Sequence, residues 1–129
     1  MTPAQWDKQR ELYPNFPKSD FDCKHSGQNE MKHEFMTVLQ AIRSEYNAPM
    51  RVTSGFRHPT HPIEARKMRP GEHTFGMCCD IACNNGADRY RLITIALKHG
   101  CTRIGIAKTF VHIGLGAPGL PSNVIWEYA

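Results

Sequence analysis

Apolar residues fall first into a helical rhythm and later into a strand rhythm along this chain. Between Asn29 and Tyr46, Met31, Phe35, Val38, Leu39 and Ile42 recur at spacings of three and four, which predicts a helix with one buried face. A second helix is predicted over residues 87–99, where Tyr90, Leu92, Ile93, Ile95, Ala96 and Leu97 are apolar and Gly100 supplies a cap. A shorter one over 3–12 opens near Pro3 and is stopped by Tyr13-Pro14-Asn15-Phe16-Pro17, because proline cannot continue the helical ladder. Residues 19–27 read as an extended, turn-rich entry.

Strand patterns occupy the gaps. Residues 50–54 run into Gly55, and 77–82 are apolar apart from Asp80. Residues 103–107 and 109–115 are expected to pair as a hairpin about Lys108, and 124–128 form a last strand. A loop rich in proline and charge covers 57–72. The sum is an α+β domain, helices packed on a small, largely antiparallel sheet. At 129 residues it forms one domain spanning 1–129, without linkers or repeats.

Composition narrows the classes. Forty per cent apolar and 22% charged residues are ordinary for a globular chain, and they exclude disorder. The formal charge of +4 comes from scattered lysines and arginines, and no nucleic-acid motif accompanies them, so no nucleic-acid partner is expected. No stretch approaches a membrane span, and the first residues lack a basic segment followed by an apolar one. The expectation is synthesis in a bacterial cytoplasm without a signal peptide. Cys23, Cys78, Cys79, Cys83 and Cys101 are odd in number and lack zinc-ribbon spacing, which points to free buried thiols.

Three residues carry candidate chemistry. A loop histidine, His73, and a carboxylate on the following strand, Asp80, can converge on one ion. His112 sits in the strand Thr109-Phe110-Val111-His112-Ile113-Gly114, where an unpaired imidazole would be costly to bury. Two imidazoles and one carboxylate suit zinc and leave a fourth tetrahedral position for water. The same spacing also admits a structural reading, with Asp80 capping a turn, His73 at the surface and His112 a hydrogen-bonded core residue.

A resemblance bears on that choice. Thr53-Ser54-Gly55-Phe56-Arg57, then Pro59 and His61, Gly71-Glu72-His73, Gly76, Asp80-Ile81 and Phe110-Val111-His112 together resemble the M15 metallopeptidases, the zinc D-alanyl-D-alanine carboxypeptidases and their phage relatives. Phe21-Asp22-Cys23 and Trp126-Glu127-Tyr128 look like the start and end of such a domain. The resemblance implies the fold shared with lysostaphin-type peptidases and the hedgehog signalling domain, a small antiparallel sheet with helices packed on one side. It implies His73, Asp80 and His112 as zinc ligands and Arg57 as the group that orients substrate and meets developing negative charge. His61 is then expected to line the cleft. Trp126, with Tyr128, either walls the substrate groove or closes the core, and Cys78 stands where the family has a small buried residue and reads as core packing.

The chain also departs from the pattern. The family commonly places an acid or a histidine a few residues before the third ligand, or an aspartate two after it, where this sequence has Thr109, Phe110 and Gly114. Glu72 is the candidate proton carrier in their stead, with Glu64 and Glu127 as further possibilities. The function so implied is a zinc peptidase that cuts near D-alanine in peptidoglycan stem peptides, as a phage or prophage cell-wall hydrolase of endolysin or virion type. Its place of action would be the periplasm and cell wall, or a phage virion. The alternative is a non-catalytic zinc-containing virion module of the same fold, with virion assembly partners.

Overall fold

The computed structural model describes residues 1–128. Helix α1 (Pro3–Gln9) starts on a Thr2 cap whose hydroxyl accepts from Gln5 N, and Gln5 returns the bond to Thr2 N. It tightens into a 3₁₀ turn over Arg10–Leu12 instead of continuing as one helix to residue 12. Helix α2 (His33–Tyr46) begins four residues later than the apolar spacing predicts. The reason is local, because Asn29 Oδ1 takes the Met31 N–H and the Lys32 N–H is given to Gly76 O, so this stretch is tied to another segment.

Strand β1 (Val52–Ser54) follows, and the proline-rich loop after it holds a short helix, α3 (Pro62–Ala65), that periodicity could not show. Its Pro62 sits at the first turn and the His61 ring caps the Ile63 N–H. Strand β2 (Cys78–Ala82), helix α4 (Gly86–Lys98), strands β3 (Arg103–Ile106) and β4 (Phe110–Gly114), and strand β5 (Val124–Glu127) complete the chain.

The strands form one sheet in the order β1-β2-β4-β3-β5. All neighbours are antiparallel except β3 and β5, which run parallel after the crossover through residues 115–123. Alternation sorts side chains to two faces. Cys79, Ile81, Ile104, Val111 and Ile113 join the core with Leu39, Ile42, Leu92 and Ala96 of the two long helices. Helices on one face of the sheet are thus as expected, while Tyr90 and Leu97, counted as apolar positions of α4, stay exposed.

An aromatic cluster from the N-terminal segment, including Trp6, Tyr13 and Phe21, packs into the same core. It also fixes the exit of β1. A Cβ on Gly55 would lie 2.6 Å from Phe21 Cα, and Phe56 N–H donates to Phe21 O. The glycine permits the close approach from which the site loop departs. All five cysteines are free and buried, as the sequence implied. Among the described residues no helix is long and apolar enough to cross a membrane.

Gly76 holds the turn before β2 at φ +68°, and a Cβ there would overlap Glu30 O. Left-handed strain and overpacking add, so Gly76→Ala is expected to cost ~2–4 kcal/mol in urea denaturation. A loss below about 0.5 kcal/mol would show that this junction can relax.

Candidate metal centre

The face of the sheet away from the long helices carries the chemistry. On β2 and β4 the partners in register are Asp80 and His112. They project to the same side because their Cα atoms are paired, and His112 Nδ1 lies 3.0 Å from Asp80 Oδ1. His73 comes from a 3₁₀ turn, Glu72–Phe75, ending at Gly76, and its Nε2 lies 3.4 Å from the same oxygen. The three side chains are each within 5% of full burial.

These separations fit a metal. Donors around a tetrahedral zinc with bonds of ~2.0–2.1 Å stand ~3.3 Å apart, which the 3.0 and 3.4 Å distances bracket. Second partners orient the imidazoles correctly. His73 Nδ1 lies 2.7 Å from Gly55 O, which makes it an N–H donor there and turns Nε2 toward Asp80. His112 Nε2 lies 2.7 Å from Glu72 Oε1, which turns Nδ1 to Asp80 on the other side of the ring.

Protonation follows the surroundings. Burial by itself would raise the Asp80 pKa, yet hydrogen bonds and charge from His112 and His73 outweigh it and hold the carboxyl well below its usual range. Burial is the largest influence on both imidazoles and disfavours their charge. His73 is accordingly lowered, whereas the Asp80 and Glu72 carboxylates reverse the sign for His112 and raise it.

Cys78 corrects an expectation. It lies on the Asp80 side of β2, outside the core cluster that holds Cys79, and its sulfur shares a group with the His73 and His112 donors within 4.8 Å. Burial pushes its thiol well up, so it faces the centre as a neutral group. The single-face rule that separates Cys78 from Cys79 holds, but it puts Cys78 at the centre and not in the core.

Arg57 reaches the same carboxylate, with Nη2 3.6 Å from Asp80 Oδ2 and Nη1 3.3 Å from Glu64 Oε2. Glu64 has no exposed side-chain area and also accepts from Lys67 Nζ and Gly71 N–H. It is a buried brace for Arg57, where a surface or proton-carrying role was expected. Glu72 is likewise buried, with Oε1 engaged by His112 and Arg103 and Oε2 by Gly116 N–H, so neither oxygen stands free as the expected proton carrier requires. Glu127 is exposed on the opposite face of β5.

A cavity of about 810 Å³ opens over the centre, walled by Arg57, Arg103, Phe110, Trp126 and Tyr128 among others. Trp126 and Tyr128 therefore wall the cavity and do not close the core, with the Trp126 ring 5.2 Å from that of His112. Gly105 makes room for it, since a Cβ there would meet the indole at 2.7 Å. His61, expected in the cleft, is not part of that wall. Its Nδ1 caps α3 and its ring packs edge-on against His25, so the imidazole serves as a helix cap.

Arg103 is a site residue that the sequence reading passed over. Its only signal was its phase, two residues before Gly105 on the same face of β3. The guanidinium donates to Glu72 and lies 4.8 Å over the Trp126 ring.

Two imidazoles and a carboxylate at the floor of a cleft, on the open face of a mostly antiparallel sheet, are the arrangement of a metallopeptidase-type α+β domain. The chain belongs to the Peptidase M15 family, whose model matches residues 12–114. The match takes in all three candidate ligands and Arg57, and stops short of Trp126 and Tyr128. No curated protein matches the chain.

Glu64 yields a pH test. Burial raises its pKa, but hydrogen bonds from Lys67, Gly71 and Arg57 prevail and lower it below 4.5. A carboxylate lowered on folding stabilises above its unfolded pKa and loses that contribution as pH falls through the folded one. Glu64→Gln should cost about 1–3 kcal/mol at neutral pH, with the gap to wild type closing in acid. A gap that stays constant down the acid limb would show that the charge of Glu64 is not what holds Arg57.

Proposed function

We propose that the protein is a zinc-dependent peptidase that hydrolyses a peptide bond near D-alanine in peptidoglycan stem peptides. The observation that carries this is the approach of His112 Nδ1 and His73 Nε2 to the same Asp80 Oδ1, at 3.0 and 3.4 Å, below an open cavity. A zinc ion held by these atoms would supply a Lewis acid for the scissile carbonyl and lower the pKa of a bound water toward ~7.

The remaining work falls to residues of the chain. Asp80, His73 and His112 would present lone pairs to the ion, and the Asp80 carboxylate gives the floor its negative charge. Arg57, held by Glu64 and Asp80, directs its guanidinium into the cavity, where it meets negative charge that develops on the carbonyl oxygen or a substrate carboxylate. Lys67 and Arg69 add positive charge on the same wall, and Phe110 and Trp126 offer apolar surface to small aliphatic side chains. That mixture suits a short peptide with a free carboxylate and alanine methyls. In this reading the protein is a phage or prophage cell-wall hydrolase, whether an endolysin or a virion component.

One observation favours a second reading. Among the described residues the carboxylates that line the cavity are Glu72 and Asp80, and both are engaged. A non-catalytic zinc module of the virion would need no proton carrier.

Digestion of purified peptidoglycan decides between them. The peptidase reading expects close to one zinc per chain, release of D-alanine or shortened stem peptides, and loss of both in His112→Ala. Arg57→Ala should retain zinc and lose ~10²–10³-fold in kcat/KM. Zinc without cleavage would establish the binding module, and a wild-type protein without zinc would refute the centre.

A further inference from the structure

We infer that Glu72 is a positioning residue for His112, and that it does so from the space a side chain at position 114 would otherwise fill. The inference rests on His112 as a metal ligand and assigns a role to the carboxylate behind it.

Gly114 is two residues beyond His112 on β4, so the two positions share a face. Its backbone is not left-handed, since it is absent from the positive-φ glycines, and conformational freedom is not why glycine stands there. The reason is space. A Cβ built on Gly114 would overlap the Glu72 carboxylate, with Oε1 at 2.6 Å and the other carboxylate atoms nearer still. A glutamate from the turn before His73 thus occupies the volume into which the strand residue would have projected.

From that position it meets His112 on the side away from the metal donors. Oε1 stands 2.7 Å from Nε2 and accepts 2.9 Å from Arg103 Nε, and Oε2 accepts 2.8 Å from Gly116 N–H. Arg103 lies over Trp126, and Trp126 lies against the His112 ring. The imidazole is therefore held on its far nitrogen by Glu72 and on its face by the indole, while Nδ1 alone points to Asp80. A carboxylate on the far nitrogen of a ligating histidine fixes both tautomer and ring orientation. It also explains how the chain tolerates glycine where an acid two residues after the third ligand would be expected, because the carboxylate arrives from another segment.

Position 114 and Glu72 are then interchangeable sources of one carboxylate, which a variant series can read. Zinc affinity is measured by competition with a chromogenic chelator, and the His112 tautomer by ¹⁵N NMR of the metal-free protein at alkaline pH. Glu72→Ala should weaken zinc binding by ~10–100-fold and mix the His112 tautomers, which in the wild type favour Nε2–H. Glu72→Gln keeps an acceptor at the same place and should retain most of the affinity. Gly114→Asp alone should unfold at lower temperature, since it sets a second carboxylate on Glu72. Glu72→Ala combined with Gly114→Asp should restore stability, tautomer and zinc affinity together.

Wild-type affinity and a single Nε2–H tautomer in folded Glu72→Ala would overturn the positioning role. A folded double variant that binds zinc no better than Glu72→Ala would overturn the exchange of positions. Absence of zinc from the wild type would instead sink the metal reading, and the tautomer measurement in metal-free protein would still decide the role of Glu72. A Glu72→Gln protein with full zinc and no turnover, where the wild type turns over, would make Glu72 a proton carrier and contradict the inference.

Discussion

Everything in this molecule that concerns chemistry depends on the register between β2 and β4. Pairing Asp80 with His112 sets a carboxylate and an imidazole face to face across two strands whose sequence separation is large. A slip of one residue would turn both side chains into the helix-covered core and bring Cys79 and Ile113 to the open face. Register is protected because the alternate residues, Cys79, Ile81, Val111 and Ile113, are fully committed to that core. The hydrophobic pattern that folds the sheet is therefore the same pattern that aims the donors.

The site works against the stability of the fold. His73, Asp80, His112, Glu72 and Glu64 are all nearly buried, and desolvating ionisable groups costs several kcal/mol apiece before their mutual attraction is counted. Each one is offset by a specific partner, whether Gly55 O for His73, Asp80 and Glu72 for His112, Arg57 for Asp80 and Glu64, or Arg103 and Gly116 N–H for Glu72. Such a network earns its place through binding, because apolar residues of similar volume would hold the sheet together at less cost. The core that carries it is built from the two long helices and the N-terminal aromatic cluster, which bury Trp6, Phe21, Phe35 and Leu39 almost entirely.

Much of this was legible in the amino-acid order. Spacings of three and four located the first long helix, apolar content ending at Gly100 located the second, and apolar runs with one polar interruption located the strands and singled out Asp80 and His112. What stayed hidden has physical reasons. The start of α2 is set by a backbone bond from Lys32 to Gly76, which no local pattern encodes. The parallel placement of β5 depends on a crossover whose residues carry no periodicity. His61 drew notice through resemblance alone, and a proline after it made it a helix cap. Glu64 and Glu72 drew notice only as possible proton carriers, because their partners Arg57 and Arg103 are seven and 31 residues away and no local pattern links them. Cys78 reads as packing through its family position, although strand phase puts it on the same face as Asp80.

The ligand set itself is the central claim, and the zinc-edge X-ray absorption spectrum of the zinc-loaded protein tests it most directly. A centre made of His73, Asp80 and His112 predicts a first shell of nitrogen and oxygen alone at ~2.0–2.1 Å, unchanged in Cys78→Ala. A sulfur shell at ~2.3 Å that disappears in Cys78→Ala would put the thiol on the metal and contradict the three-donor centre with an open position.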